Sequence, residues 1–445
     1  MKKIITLVFM LFSMNSMAQD YNISVLDSIT NTTYNQGVMG LTAVEYGGVI
    51  HLTYYYGSQD ENWSLVHETR KNGQQLSLEV AHDFTSSNID RSSKTAIQFD
   101  ENGRIYIYCA YRIPEKTKLS VFTKTNQWTS IDLDYTPYFY FVHSSKNGNS
   151  RLGFVTQSKY WEGDYISGGN VYQIDYFEQI NDIWTQKTIF SSKYTKSSPT
   201  CFHASNGDTY ISFVEGHHPD TTELFIFKRN QNEWLIDYNA VYENQYSFTE
   251  ELSGYVAGVN YNYFGEFNGK VHLIHNMDNQ SGMVSGLTHL IRTASGWEKF
   301  DLSNKEEYPG KGRFSGSELE FDSKGNLYWV DNYDAVRIIH SHQEYKDFEV
   351  PLPGPGVGYW DCVITDDEIF MYYFTGDNAY PWGDDLKFYE ASSKLDGLFS
   401  GVRDVNVAID NMNIYPNPGN GEYTLQVNVK IQNEIIPKLK KKLEE

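Results

Sequence analysis

A tight turn followed by alternating apolar and polar residues recurs along the chain. Asn-Gly supplies the positive φ angles that a tight turn between antiparallel strands requires. The alternation after each turn buries one strand face and leaves the other in water. Seven such strands follow turns at Gly48, Asn102, Asn147, Asn206, Asn268, Lys324 and Asp366. Each repeat is therefore predicted to be a β-hairpin.

Four repeats carry a tryptophan that opens a later strand, at Trp128, Trp184, Trp234 and Trp297. A further strand lies between turn and tryptophan, so each repeat predicts four short antiparallel strands, the blade of a β-propeller. The fold is expected to be all-β, with a seven-bladed β-propeller over residues 19–400. The segment 21–27 is expected to complete the last blade. A two-sheet sandwich, or a pair of sandwiches, is the alternative, but it does not require one hairpin sequence seven times.

The composition supports strands and makes the protein acidic. Hydrophobic residues make up 40% and aromatic residues 16%, with 35 tyrosines, which favour half-buried pleated surfaces and also suit stacking on sugar rings. The net charge of −21 gives no bulk basic surface for a nucleic acid. Cys109, Cys201 and Cys362 lie in predicted strands and are expected to be buried free thiols.

The N-terminus is predicted to be a signal peptide over residues 1–18. Lys2 and Lys3 precede an apolar run over 4–12, and small residues follow up to Ala18, the expected cleavage position. The run is too short to span a bilayer. The protein is therefore expected to leave the cytoplasm through the periplasm, to be secreted or surface-bound, and to be a monomer.

The C-terminal part carries a short motif of a different character. Residues 413–425 read Asn-Ile-Tyr-Pro-Asn-Pro-Gly-Asn-Gly-Glu-Tyr-Thr-Leu. This motif resembles the opening of the C-terminal sorting domain of Bacteroidetes proteins exported by the type IX system. The resemblance implies a small β-sandwich read by the secretion machinery. Residues 401–445 are expected to be a linker and a truncated sandwich-like sorting segment.

Propeller geometry nominates one face for a ligand. The loops that lead into each innermost strand and those that leave each second strand meet at the face opposite the Asn-Gly turns. Loops on a rigid scaffold commonly carry function. The catalytic candidates there are Arg112, His218, His275 and Tyr333. The substrate-binding candidates are Arg91, Arg313, Trp161, Trp360, Tyr111 and Asp331. Lys146 and Lys324, at the turns, are expected to lie on the far face.

Three functions fit these residue types. In a lyase acting on a uronate-containing polysaccharide, an arginine neutralises the carboxylate, a histidine or tyrosine takes the neighbouring proton, and a tyrosine protonates the leaving oxygen. A glycosidase would use paired carboxylates, for which Asp331, Asp361 and Glu318 are available. A non-catalytic propeller would bind a glycan or protein by stacking tyrosine and tryptophan rings.

The repeats resemble those of sialidase-like propellers of the bacterial-neuraminidase-repeat type. Residues 111–114 resemble their arginine motif but lie at the end of a second strand, and residues 322–329 resemble part of an Asp-box. Sialidase activity is not expected. Propeller-type ulvan lyases are similar in size, secretion and repeat style. Where that family has paired histidines, the second blade holds Arg91 and Arg112.

No cofactor is expected, with Ca²⁺ as the alternative. Asp377, Asp384 and Asp385 surround Gly383 and offer carboxylate oxygens. The side chains of the adjacent residues His217 and His218 should diverge, and His340 and His342 share a strand face but lack a third ligand, so no other metal site is expected.

Overall fold

A computed structural model gives the fold. It describes residues 22–30, 36–58, 63–84, 95–113, 116–133, 138–146, 151–162, 169–194, 196–217, 221–243, 261–278, 284–301, 319–331, 335–340, 344–349, 357–365, 368–375, 385–395, 407–416 and 423–431.

The first described strand is β1 (Asn22–Thr30), and six four-stranded sheets of consecutive strands follow it. Sheet 1 is β2 (Gln36–Tyr46), β3 (Val49–Ser58), β4 (Trp63–Lys71) and β5 (Gln74–Phe84). Sheet 2 is β6 (Ala96–Phe99), β7 (Ile105–Ile113), β8 (Lys116–Lys124) and β9 (Trp128–Leu133). Sheet 3 is β10 (Tyr138–Ser144), β11 (Gly153–Glu162), β12 (Gly169–Ile180) and β13 (Ile183–Ser192).

The other three sheets of this kind have the same order. Sheet 4 is β14 (Lys196–His203), β15 (Thr209–His217), β16 (Thr221–Asn230) and β17 (Glu233–Glu243). Sheet 5 is β18 (Tyr261–Phe267), β19 (Lys270–Asp278), β20 (Val284–Thr293) and β21 (Gly296–Asp301). Sheet 6 is β22 (Glu320–Phe321), β23 (Leu327–Asp331), β24 (Ala335–His340) and β25 (Glu344–Glu349).

A further four-stranded sheet joins the two ends of this array. It consists of β26 (Val357–Thr365), β27 (Glu368–Thr375) and β28 (Asp385–Lys394), with β1 hydrogen-bonded to β28. We call it the closing sheet. The first strands of neighbouring sheets contact one another in turn, and β26 contacts β2. The sheets therefore surround a central channel as in a β-propeller.

The sequence prediction is confirmed for the all-β propeller and corrected for its blades. Six blades have the predicted construction of four consecutive strands, not seven. The last repeat supplies three strands, because its sheet takes the fourth from β1 near the N-terminus. That place for β1 agrees with the expectation for residues 21–27.

The core lies between neighbouring sheets. Sheets 1 and 2 share a buried cluster that includes Tyr55, Phe84 and Phe122. The four recurring tryptophans pack the fourth strands of sheets 2 to 5 against the preceding sheet. Trp184 of sheet 3, for example, contacts Tyr108 of sheet 2 edge-on, with ring centroids 5.6 Å apart. Such aromatic pairs add specific geometry to the apolar burial, which explains why the repeats carry a tryptophan at this place.

The chain divides into two compact units, one of residues 23–392 and one of residues 1–22 with 393–445. The second unit contains the antiparallel hairpin of β29 (Val407–Pro416) and β30 (Tyr423–Ile431). Tyr415 and Pro416, from the motif that resembles a sorting domain, form the end of β29. Among the described residues, no helix is long and apolar enough to cross a bilayer.

Candidate functional site

The connections between strands define two faces of the propeller. Each first strand runs into its second, and each third into its fourth, through turns at the same end of the sheet. Positive φ angles mark these turns, as at Asn72 (51°) and Gly73 (72°), or at Asn268 (50°) and Gly269 (70°). We call this end the turn face. The loops that leave the second and fourth strands emerge at the opposite end, the loop face.

Two turns on the turn face are built around an aspartate. Asp322 Oδ1 accepts the backbone N–H groups of Lys324 (2.9 Å) and Asn326 (2.8 Å). Asp100 accepts two backbone N–H groups in the same way. The side chain thus replaces backbone partners in the turn. The partial likeness of residues 322–329 to an Asp-box therefore describes a structural turn remote from the loop face.

The described site candidates lie toward the loop-face ends of their strands. Arg112 pairs with Thr117 one residue before β7 ends, and Trp161 pairs with Asn170 near the end of β11. Asp331 is the last residue of β23. Trp360 lies near the start of β26, beside a register shift. The remaining candidates fall outside the described residues: Arg91, His218, Arg313 and Tyr333.

Tyr111 and His275 were predicted in exposed loops, but the structure buries both. Tyr111 packs on Phe84, with ring centroids 4.7 Å apart, in the core between sheets 1 and 2. His275 lies inside β19 with no exposed surface, and its Nδ1 is 2.8 Å from Asn262 Oδ1. Their roles in binding or catalysis stay predictions. For either role, the side chain would have to reach the ligand from a buried position within its sheet.

A buried lysine organises the loop-face end of sheets 3 and 4. Lys196 Nζ donates to Ser192 Oγ (2.7 Å) and Tyr194 O (3.0 Å), and it pairs with Glu215 Oε2 (3.0 Å). Burial lowers the pKa of Lys196, and the Glu215 carboxylate opposes that effect. This ion pair ties the start of β14 to the end of β15, the strand that leads toward His218.

A second polar group lies at the loop-face end of sheet 2. Asp132 accepts hydrogen bonds from Lys118 Nζ (2.8 Å) and Ser120 Oγ (2.6 Å). Burial acts to raise the pKa of Asp132, but these hydrogen bonds outweigh it and lower the pKa. The carboxylate therefore stays ionised beside Tyr111.

The centre of the ring holds a third polar group, which the sequence did not indicate. Lys146, two residues after the end of β10 in sheet 3, pairs with Glu320 of sheet 6 (3.0 Å) and Asp361 of the closing sheet (3.3 Å). Its ammonium also donates to the carbonyl of Cys362 at 2.9 Å. The second carboxylate oxygen of Asp361 accepts the N–H of Ala43 in sheet 1 (2.8 Å). We call these three charged side chains the central cluster.

The central cluster bears on two expectations. Lys146 follows β10 at the turn-face end, the far face on which it was expected, but only 7% of its side chain is exposed, because it reaches across the ring. Asp361 was one of the carboxylates available to a glycosidase, but it is buried and held by Lys146 and two backbone N–H groups. Nothing local predicts these contacts, since the partners of Lys146 lie 174 and 215 residues away.

Within the part of the chain that the structure describes, no group of three or more His, Cys, Asp or Glu side chains could hold a metal ion. The two acidic positions 377 and 384 of the calcium alternative lie outside that part, as does His342. The three cysteines are free and buried, as the sequence predicted.

Comparisons with known proteins support the fold. No model of a protein family matches the sequence, and no curated protein matches it. The crystal structure of the polysaccharide lyase Uly1 superimposes with a TM-score of 0.52 at 12% identity, over 80% of this chain and 90% of the lyase.

Two other solved structures have lower scores. A PL25 ulvan lyase bound to -[GlcA(1-4)Rha3S]- gives a TM-score of 0.47 at 11% identity, over 81% of this chain and 95% of the other. A Trypanosoma rangeli sialidase in complex with the inhibitor DANA gives 0.41 at 10% identity, over 82% of this chain and 56% of the other. At such identities the likeness is one of fold.

Proposed function

We propose that this protein is a secreted carbohydrate-active propeller that binds a uronate-containing polysaccharide across its loop face and cleaves it by β-elimination. The observation that carries the proposal is the shared fold with the lyase Uly1, which extends over 80% of this chain. The described candidates add support, since Arg112, Trp161, Asp331 and Trp360 lie toward the loop-face ends of four strands.

The proposed reaction needs three roles. Arg112, with Arg91 and Arg313, holds the uronate carboxylate, since a guanidinium forms two parallel hydrogen bonds with it. His218 takes the proton on the carbon next to that carboxylate, and Tyr333 protonates the departing glycosidic oxygen. The electron pair of the broken C–H bond forms the new double bond. His275 is the alternative base, and because it is fully buried it would take the proton from within β19.

A panel of algal and host glycans tests this function. Binding is measured by calorimetry, and cleavage by the ultraviolet absorbance of unsaturated uronates. We expect binding and rising absorbance with a uronate polysaccharide, and no effect of a chelator, since the reaction uses no metal. New reducing ends without absorbance would instead indicate a hydrolase, and binding alone a glycan-binding propeller.

Arg112→Lys is the informative variant, because lysine cannot reproduce the two parallel hydrogen bonds. We expect binding to weaken about tenfold, which corresponds to about 1.4 kcal/mol. Lys324→Met is the matched control, since Lys324 is exposed on the turn face. Equal loss of binding in both variants would place the ligand elsewhere.

We also infer that the closing sheet is the seventh blade.

We further infer that export uses the predicted signal peptide and the predicted sorting segment. Residues 1–22 and 393–445 form a compact unit separate from residues 23–392, which supports a distinct role for these segments. N-terminal sequencing of the secreted protein should begin after Ala18. Secretion that continues after removal of residues 401–445 would contradict a sorting role for that segment.

A further inference from the structure

The central cluster joins strands that are far apart in the ring. Following the contacts between first strands, β10 is separated from β26 by β6 and β2, and from β22 by β14 and β18. A side chain that starts beyond β10 and reaches both β22 and β26 must therefore cross the middle of the channel. Lys146 makes this connection from the turn-face end, because it follows β10 at the start of the hairpin turn.

Oxygen atoms of two carboxylates and one carbonyl lie around the ammonium of Lys146. They are Glu320 Oε1 at 3.0 Å, Asp361 Oδ1 at 3.3 Å and the carbonyl oxygen of Cys362 at 2.9 Å. Carboxylate and carbonyl oxygens are the ligands that hard cations such as Ca²⁺ prefer, at about 2.3 to 2.6 Å. The distances found here suit an ammonium group, whose hydrogen atoms lie between nitrogen and oxygen.

The surroundings of the ammonium are acidic. Glu45 is a further negative charge that acts on Glu320, in addition to Asp361. Two carboxylates at the centre of the ring repel each other and lose hydration, so they require a cation beside them. Lys146 supplies that charge covalently, from a turn of sheet 3.

We propose that Lys146 is the built-in cation of the ring: its ammonium takes the position between Glu320 and Asp361 that a metal ion would otherwise occupy. The propeller is thereby fastened across its channel by its own chain and needs no ion at this place. The inference concerns the assembly of the ring and does not depend on polysaccharide binding.

Replacing Lys146 by alanine should turn its position into a cation site. Lys146→Ala leaves the two carboxylates and the Cys362 carbonyl facing the space that the side chain filled. We expect its melting temperature to fall by several degrees at neutral pH without divalent ions. Millimolar CaCl₂ should restore a large part of that loss, whereas the wild-type melting temperature should not change.

Two further variants make the test specific. Lys146→Ala combined with Asp361→Asn removes one ligand charge and should lose the calcium response. Lys324→Ala removes an exposed lysine of the turn face and should behave as the wild type. Terbium luminescence on the same proteins checks that an ion binds directly, because Tb³⁺ takes oxygen ligands as Ca²⁺ does.

A variant without any of the three charges covers the case in which Lys146→Ala does not fold without calcium. In that case the variant Lys146→Met/Glu320→Gln/Asp361→Asn, in which all three charges are removed, should fold and ignore calcium. Wild-type stability of Lys146→Ala would overturn the proposal. So would a calcium response equal in Lys146→Ala and the wild type, or failure of the uncharged variant to fold better than Lys146→Ala.

Discussion

His51 and His67 form a hydrogen-bonded pair between sheets 1 and 2, with His51 Nδ1 3.0 Å from His67 Nε2. The rings of Phe99 and Trp128 contact the pair edge-on. Burial lowers the pKa of His51 to about 3 and that of His67 to about 4. Both rings are therefore neutral at pH 7, and one nitrogen donates while the other accepts.

This pair predicts lower stability in mild acid. Below the ordinary histidine pKa of about 6.5, the histidines of the unfolded chain bind protons, whereas the folded pair stays neutral. The free energy of unfolding therefore falls with decreasing pH. For His67 the difference between pH 7 and pH 5 amounts to about 2 kcal/mol. Urea unfolding of the wild type and His67→Asn at both pH values measures it. An unchanged pH dependence in the variant would contradict the prediction.

The same arrangement occurs four sheets away. His272 and His289 lie 2.9 Å apart between sheets 5 and 6, and His272 meets Phe321 edge-on as His51 meets Phe99. His51 and His272 occupy equivalent places, since each lies three residues after a turn glycine, Gly48 or Gly269. The repeated sequence thus determines a side-chain contact with the next sheet as well as the hairpin itself.

At the scale of elements, two fourth strands carry a carboxylate that binds the following sheet. Asp237 lies at a register shift in β17 and accepts hydrogen bonds from Arg292 Nε (2.7 Å) and Trp297 Nε1 (2.7 Å) of sheet 5. Glu79 in β5 accepts hydrogen bonds from Lys124 and Trp128 in the same way. A β-bulge redirects a side chain, which lets Asp237 point at the next blade.

Removing the carboxylate should weaken the contact between sheets 4 and 5. Asp237→Ala leaves Trp297 Nε1 and Arg292 without this acceptor, at a cost of about 1 to 2 kcal/mol. Glu233→Ala, in the same strand but exposed, should change stability by less than about 0.5 kcal/mol. Chemical denaturation measures both variants. Equal effects would show that the hydrogen bonds of Asp237 contribute nothing to stability.

At the scale of the molecule, a buried ionic network joins the two ends of the ring. Arg70 in sheet 1 pairs with Glu68 and with Glu390 of the closing sheet, where the distance is 3.3 Å. Tyr372 donates a hydrogen bond to Glu390 at 2.8 Å. The first and closing sheets also share an apolar cluster that includes Leu52 and Phe388. The ring therefore closes through charge and apolar packing together.

Arg70→Met should weaken the contact between sheet 1 and the closing sheet, because it leaves the buried carboxylates of Glu68 and Glu390 without their cation. We expect a loss of about 3 to 5 kcal/mol. The variant Arg70→Met/Glu68→Gln/Glu390→Gln should recover much of it, since no unpaired charge remains. Arg104→Met, which affects an exposed ion pair, should cost less than about 1 kcal/mol. Thermal unfolding ranks the variants, and similar losses for Arg70→Met and Arg104→Met would exclude a closing role.

The sequence predicted the features that a few neighbouring residues encode. Turn glycines such as Gly269 and recurring tryptophans such as Trp184 act within one hairpin or its neighbour, so the strands could be placed in advance. The position of β1 was accessible from its strand pattern. Lys146 lies in the turn expected for it, but its burial and its contacts across the ring could not be predicted, because its partners are far away in the sequence. Tyr111 and His275 were placed in loops, because their strands extend further than expected.

The lysine at the centre of the ring also sets an order of events in folding. Lys146 precedes Glu320 by 174 residues in the sequence. Ala43 precedes Asp361, whose carboxylate accepts its N–H, by 318 residues. Contacts between such distant residues form late, because each requires the closure of a long loop. We expect the separate hairpins to form first and the centre to be sealed last. A chain that stops before residue 361 leaves the ammonium without one of its two carboxylates, so an incomplete product remains open to proteases.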